Sequence, residues 1–205
     1  IEYNSSKPFM EISAPSSGFT VKNIQGTFKK ELFTYSSYRG YDWMPDSKSI
    51  VYIFQGKLNI LDLDSANSKT IIENFPLSSP KVSPDGKKFI AFSSFGVART
   101  TALITIDGQL DTILTGREYG QYSWSSDSKK MIYIGPYVAT SAREISVYDI
   151  ETEQKTTIAA GFNPIWRPNA DEVLYTVYNE NESQLNLINS NGSQIRTIID
   201  QYSPS

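Results

Sequence analysis

At 205 residues, 39% hydrophobic and 13% aromatic, the chain has enough apolar material for one compact core and needs no second domain. A formal net charge of -3, with both signs spread along the sequence, leaves no basic stripe for a phosphate backbone, so nucleic acid is not an expected partner. No apolar run approaches the ~18 residues of a membrane span, and with neither His nor Cys there is no Ser-His-Asp triad, no thiol nucleophile and no His- or thiolate-ligated metal.

The first thirty-odd residues read as three short strands: Pro8-Phe9-Met10-Glu11-Ile12-Ser13, Phe19-Thr20-Val21, and Phe28-Lys29-Lys30-Glu31-Leu32-Phe33 after an Asn23-Ile24-Gln25-Gly26 turn. A six-residue phrase then begins, Trp43-Met44-Pro45-Asp46-Ser47-Lys48. It returns as Val82-Ser83-Pro84-Asp85-Gly86-Lys87, as Trp124-Ser125-Ser126-Asp127-Ser128-Lys129, and loosely as Trp166-Arg167-Pro168-Asn169-Ala170-Asp171. The fourth members stand 39, 42 and 42 residues apart.

Each phrase is a turn between an inner strand and a second, apolar one: Ile50-Val51-Tyr52-Ile53-Phe54, Phe89-Ile90-Ala91-Phe92, Met131-Ile132-Tyr133-Ile134 and Val173-Leu174-Tyr175-Thr176-Val177. Third strands follow at Leu58–Leu61, Ala102–Ile106, Ile145–Tyr148 and Leu185–Ile188, and fourth strands at Thr70–Ile72, Thr112–Leu114, Thr156–Ile158 and Thr197–Ile199. Turns such as Asp107-Gly108 and Asn191-Gly192 supply the positive φ that hairpins require. A period near 40 residues with four strands in each repeat predicts an all-β fold, a β-propeller of four-stranded antiparallel blades. The expected organisation is a single domain over 1–205, with a partial blade at 1–35 and full blades at about 36–74, 75–116, 117–159 and 160–200. That makes five blades, the first lacking its inner strand, or else part of a longer propeller.

The run Val82-Ser83-Pro84-Asp85-Gly86-Lys87-Lys88-Phe89-Ile90-Ala91-Phe92 resembles the repeat of TolB-like propellers, Pro-Asp-Gly relatives of the WD repeats. The resemblance covers Tyr38 to Ile199 and fades in the last copy, where Asn169-Ala170-Asp171 replaces the turn. It implies a propeller of a kind found in periplasmic translocation proteins that bind partners, in surface proteins and as gating domains of serine peptidases; a protein- or peptide-binding scaffold in an exported setting is the expectation. Together with Ser/Asn/Tyr-rich surfaces, it points to a bacterial protein of the periplasm or cell surface; the start at Ile1 predicts an upstream segment, and a signal peptidase is one of the ways it could have been removed.

Carboxylate chemistry is the catalytic route left open. Asp42, on an inner strand, is the best single candidate for a glycosidase acid or base, with Glu118 as a loose second. Its repeat equivalents are Lys81, Ser123 and Ile165, so the paired carboxylate is missing and Asp42 reads as a hydrogen-bonded structural residue. Asp46, Asp85 and Asp127 read as turn stabilisers that accept backbone N–H bonds. Asp62-Leu63-Asp64 lacks the third ligand and spacing of a calcium loop. Trp43, Trp124 and Trp166, in register, read as packing between blades, because Val82 fills the same position. The expectation is a non-catalytic protein with no cofactor and no metal.

Function is then sought where the repeats differ. The connection between second and third strands is short at Gln55-Gly56-Lys57 but long over 93–100 and 135–143. These loops share a face with the segments that lead into the inner strands, and that face is rich in Tyr and Arg. Phe95, Arg99, Tyr119, Tyr137, Arg143 and Arg39 are the candidate partner-binding residues, since Tyr and Arg dominate contact energetics. The alternatives are a carbohydrate-binding or glycoside-hydrolysing propeller, or a structural module of a longer surface protein.

Overall fold

The computed structural model describes residues 10–13, 19–23, 29–33, 38–93, 100–115, 120–139, 142–179 and 182–202. Every regular element among them is a β-strand. A three-stranded antiparallel sheet comes first, β1 (Met10–Ser13), β2 (Phe19–Asn23) and β3 (Lys29–Phe33). A four-stranded sheet follows, β4 (Tyr38–Trp43), β5 (Ser49–Phe54), β6 (Lys57–Asp62) and β7 (Ser68–Ile72). The next has the same order: β8 (Leu77–Val82), β9 (Lys88–Ser93), β10 (Thr100–Thr105) and β11 (Leu110–Thr115).

The last seven strands are joined: β12 (Gly120–Trp124), β13 (Lys130–Ala139), β14 (Ala142–Asp149), β15 (Lys155–Trp166), β16 (Glu172–Asn179), β17 (Glu182–Asn189) and β18 (Arg196–Tyr202). The sequence pattern separates a fourth strand from the next inner strand between Ile158 and Trp166. In the structure β15 runs through both, pairing with β14 up to Gly161 and with β16 from Phe162 onward. It is one strand serving two sheets.

Alternate side chains of a strand point to opposite faces of its sheet, as a period of two dictates, and successive sheets from β4 onward pack face to face. Val51, Ile53 and Leu58 pack with Phe89, Ala91, Ala102 and Ile104 of the following sheet. On the far side of that sheet Ile90 and Leu114 pack with Trp124, Met131, Tyr133 and Tyr148. Ile132, Ile145, Val147 and Ile158 then pack with Trp166, Val173, Tyr175 and Ile188. Burying one such side chain contributes about 1.5–3 kcal/mol, so this repeated face-to-face contact is the main stabiliser.

Two irregularities recur in register. Every inner strand slips once against its neighbour, between Tyr38 and Tyr41, Ser78 and Lys81, Gly120 and Ser123, and Phe162 and Ile165. At each slip one residue has positive φ: Gly40, Ser79, Gln121 and Asn163. Gly40 allows no alternative, because a Cβ there would stand 2.8 Å from the Ser79 Cα and backbone N. The second irregularity lies between third and fourth strands, where Ile71, Ile113, Ile158 and Ile198 are the extra residues of β-bulges. Beside three of these bulges a polar pair closes the ladder: the Thr70 and Thr197 hydroxyls donate to the Asn59 and Asn186 Oδ1 at 2.8 Å, and Ser146 and Thr157 meet at 3.1 Å. The fourth-strand Thr repeated in the sequence is therefore a bulge lock.

The turns that carry the six-residue phrases also touch across sheets. Ser128 Oγ accepts the Asp85 backbone N–H at 2.9 Å, and Gly86 lies against the Pro45 ring. At the last junction Ala170 occupies the position of Ser128 and has no hydroxyl to offer. Ser128→Ala should therefore lower stability by about 1 kcal/mol, the cost of an unmet N–H bond. Ser128→Gly should cost less, since glycine relieves the positive φ there. Chemical denaturation of the two variants checks the order.

Candidate functional site

The face proposed from sequence is built where second strands end and inner strands begin, since Tyr38 pairs with Phe54, Leu77 with Ser93, and Phe162 with Thr176. Of its six candidate residues, Phe95, Arg99 and Tyr119 lie outside the described residues. Arg39 is in β4, immediately before the Gly40 bulge. Tyr137 in β13 and Arg143 in β14 are register partners across one hairpin, so the structure brings these two together.

Of the 135–143 segment, expected as a loop, residues 135–139 continue β13 and 142–143 begin β14. Gly135-Pro136 reads as a break in sequence, but Pro136 falls in the slip between Ile134 and Tyr137, where the ladder does not use its missing N–H. Arg143 Nε donates to the Gly135 carbonyl at 2.8 Å, which ties the two strands together there.

Asp42 is placed by β4 and is half-buried. Its Oδ1 accepts the Trp43 N–H at 3.0 Å, and its Oδ2 accepts the Val82 N–H, also at 3.0 Å, from the neighbouring inner strand. At the next two junctions the bond is made differently. The indole Nε1 of Trp124 donates to the Lys81 carbonyl, and that of Trp166 to the Ser123 carbonyl, each at 3.1 Å. Val82 has no indole, and the Asp42 carboxylate makes the junction instead. Trp124 and Trp166 are buried, as the packing reading requires, whereas Trp43 is only half-buried.

The turn carboxylates are similarly engaged. Asp46 Oδ1 accepts the N–H groups of Lys48 and Ser49 at 2.8 Å. Asp85 and Asp127 each accept a Ser hydroxyl at 2.6 Å and the N–H of Lys87 or Lys129 at 3.0 Å. Partial burial works against ionisation of all three, but these bonds outweigh it and hold the carboxyls below their ordinary range. Asp62, at the suggested calcium loop, takes the Ser65 N–H and hydroxyl, both at 2.7 Å. Among the described residues no three His, Cys, Asp or Glu converge as a metal site.

One further cluster has the residue types of a catalytic site. Ser146 Oγ donates to Glu144 Oε1 at 2.6 Å, and Lys155 Nζ stands 2.9 Å from the same oxygen. Burial raises the Glu144 pKa, but the Ser146 and Lys155 contacts prevail and lower it. Ser146 is fully buried, out of reach of a substrate, so the group braces the sheet.

Sequence reasoning missed the inner edge. The left-handed bulges bring Ser79, Gln121 and Asn163, all exposed, to successive inner strands beside exposed Lys81 and Ile165. Gln121 Nε2 donates to Asn163 Oδ1 across two sheets at 3.5 Å. The available signal was the residue three before each phrase-initial Trp or Val: Gly, Ser, Gln and Asn, all residues that accept or tolerate tight backbone. On the opposite face a cleft of about 410 Å³ opens between two phrase turns, lined by Ser125, Ser126, Asp127, Lys130, Asn169 and Asp171. Lys130 spans it to Asp171 and Ser190, at 2.9 and 2.8 Å.

This succession of antiparallel sheets, packed face to face and touching at their inner strands, is shared with solved structures of low sequence identity. An oligogalacturonate lyase from Vibrio parahaemolyticus is 12% identical over 90% of this chain, with a TM-score of 0.72. The β-propeller domain of the Trilobed protease from Pyrococcus furiosus is 15% identical over 80% of the chain, with a TM-score of 0.61.

The chain has the β-propeller fold.

A putative TolB from Agrobacterium tumefaciens is another propeller-type relative in structure, 14% identical over 93% of this chain and 91% of its own, with a TM-score of 0.53. The chain spans 59% of the length of the lyase and 56% of the protease propeller domain. No protein-family model matches the sequence, and no curated protein matches it.

If Asp42 is a sheet-to-sheet brace, Asp42→Ala should destabilise the propeller by about 1–3 kcal/mol, because it strands the Val82 N–H. Asp42→Asn, which keeps an acceptor, should cost less. A group without that bond would show no such order in thermal melts. The turn carboxylates predict acid sensitivity. Their folded pKa values lie below the unfolded value of about 3.9, so their stabilisation is complete above about pH 4 and is lost as pH falls through the folded values. An Asp85→Asn/Asp127→Asn variant should show a shallower loss of thermal midpoint below about pH 4 than the wild type.

Proposed function

We propose that this chain is a non-catalytic, TolB-like propeller scaffold of five blades, the first incomplete, which binds a protein or peptide partner in an exported or cell-envelope setting. The observation that carries this reading is the engagement of the repeated polar chemistry in the scaffold itself. Asp42, Asp46, Asp85, Asp127 and Glu144 all accept hydrogen bonds that hold turns, strands or neighbouring sheets. What varies between repeats is the face around the inner-strand starts. There β13 is longer than β16, its counterpart in the next repeat, and Tyr137 stands opposite Arg143. Phe95, Arg99, Tyr119 and Arg39 belong to the same proposed surface by sequence position.

A carbohydrate ligand is the second reading, favoured by the likeness to the oligogalacturonate lyase. Against it, aromatic rings near the inner edge pack tilted against one another, Phe92 with Tyr122 at 4.6 Å and Phe162 with Tyr178 at 5.6 Å between centroids, and sugar stacking needs an open ring face.

Capture from an envelope extract should retain a protein on the wild-type chain that is lost from a folded Arg99→Ala/Tyr137→Ala/Arg143→Ala variant. Retention unaffected by the substitutions would move the site off this face. Calorimetric binding of oligogalacturonate, with no protein retained, would favour the carbohydrate reading.

A further inference from the structure

Where two phrase turns meet, the chain makes a different contact each time. At the first junction the Pro45 ring lies against Gly86, and at the second the Ser128 hydroxyl takes the Asp85 N–H. At the third, Ser126 stands where the other phrases have Pro45, Pro84 and Pro168, and Ala170 stands where the preceding phrase has Ser128, so both contacts are lost. The last turn also differs in its backbone. Its left-handed residue is Asn169, the fourth of the phrase, whereas in the other three it is the fifth, Ser47, Gly86 and Ser128. The cleft of about 410 Å³ opens at this junction, within the roughly 300–1,000 Å³ of small-ligand sites. Its Lys130 side chain is fixed in place, because Asp171 and Ser190 hold the ammonium and the Ser190 hydroxyl itself donates to Asp171 Oδ2 at 2.7 Å.

We propose that this cleft binds a neutral, hydroxyl-rich ligand of the chemical class of an uncharged sugar. The lining chemistry selects against other classes. Asp127 and Asp171 set two carboxylates against one ammonium, that of Lys130, which is already paired, so an anion meets a net negative wall. A metal cation meets the Lys130 ammonium. Among the described lining residues Ala170 alone is apolar, too little surface for an apolar ligand. A sugar hydroxyl both donates and accepts, and the cleft offers both roles. Asp127 uses Oδ1 for its own turn, accepting from Ser125 and Lys129, which leaves Oδ2 to accept from a ligand. Ser126 keeps the N–H that a proline would lack, and the Asp127 N–H meets Ala170 in place of the hydroxyl that holds its counterpart on Asp85. Asn169 adds an amide with both a donor and an acceptor. The site lies on the face opposite the proposed partner surface, so neither reading depends on the other.

The probes are D-galactose and D-glucose, followed by NMR at the Ser126, Asp127 and Asn169 amides, with D-galacturonate as a charged counterpart. At least one of the neutral sugars should shift these amides saturably with a Kd of about 1–10 mM, weak because no aromatic ring lines the cleft for stacking. Galacturonate should bind about fivefold more weakly, the effect of one net like charge at a water-exposed site. Ser126→Pro restores the residue of the other three phrases, removes a donor and puts a ring into the cleft. It should lower the affinity for the neutral sugar by at least about tenfold while leaving the melting temperature unchanged. Ala170→Gln, which fills the cleft from the other turn, should do the same. No saturable shift with either neutral sugar at about 100 mM overturns the proposal. So does galacturonate binding as tightly as galactose, or sugar binding that the folded variants retain.

Discussion

Everything in this molecule follows from the need of each sheet to bury one face against the next. A four-stranded antiparallel sheet with apolar residues on both faces cannot stand alone in water, so a chain of them must stack. The stacking explains why Val51, Ile90 and Ile132 are apolar in register with one another, and why the opposite faces carry Ile50, Phe89, Met131 and Val173. It also brings the inner strands within bonding distance, and there the polar details begin. A junction that has a Trp uses its indole N–H to reach the neighbouring carbonyl. The junction that has Val82 uses Asp42 to reach a neighbouring N–H.

That substitution of one bond for another bears on function. An inner-strand carboxylate in a propeller invites a catalytic interpretation, but both oxygens of Asp42 accept backbone N–H groups. The phrase aspartates are likewise committed to turns. Once these groups are assigned to the scaffold, what distinguishes one repeat from another is loop length and surface chemistry, and the proposed binding role rests on that difference. The left-handed residues Ser79, Gln121 and Asn163 each cost about 1 kcal/mol relative to ordinary backbone. They recur because the close approach of neighbouring inner strands, seen at Gly40 against Ser79, requires the slip.

Much of the fold was legible in the sequence because strands, phrase turns and Gly-containing hairpins each have a local signal. Asp107-Gly108 and Asn191-Gly192 form the expected turns with positive φ at glycine, and the four second strands fall where the apolar runs stand. The continuity of β15 was not legible, since Gly161 and Pro164 look like breakers. Gly161 is instead there for a close approach: a Cβ would stand 2.5 Å from the Thr176 carbonyl oxygen. The role of Asp42 was equally hidden, because its partner lies 40 residues away and is a backbone atom with no sequence signature. Of the candidate site, the pairing of Tyr137 with Arg143 emerges only when the apparent loop is seen as a hairpin. The inner-edge bulges had no glycine signature except at Gly40.

The most direct test of the junction account is amide hydrogen exchange at Val82, read residue by residue by NMR. The Val82 N–H is held by Asp42 at 3.0 Å, so it should exchange as slowly as the paired amides of β9 in the wild type and lose that protection selectively in Asp42→Ala. Fast exchange at Val82 in the wild type, or protection that survives the loss of the carboxylate, would contradict the assignment of Asp42 to the scaffold and reopen it as a chemical group.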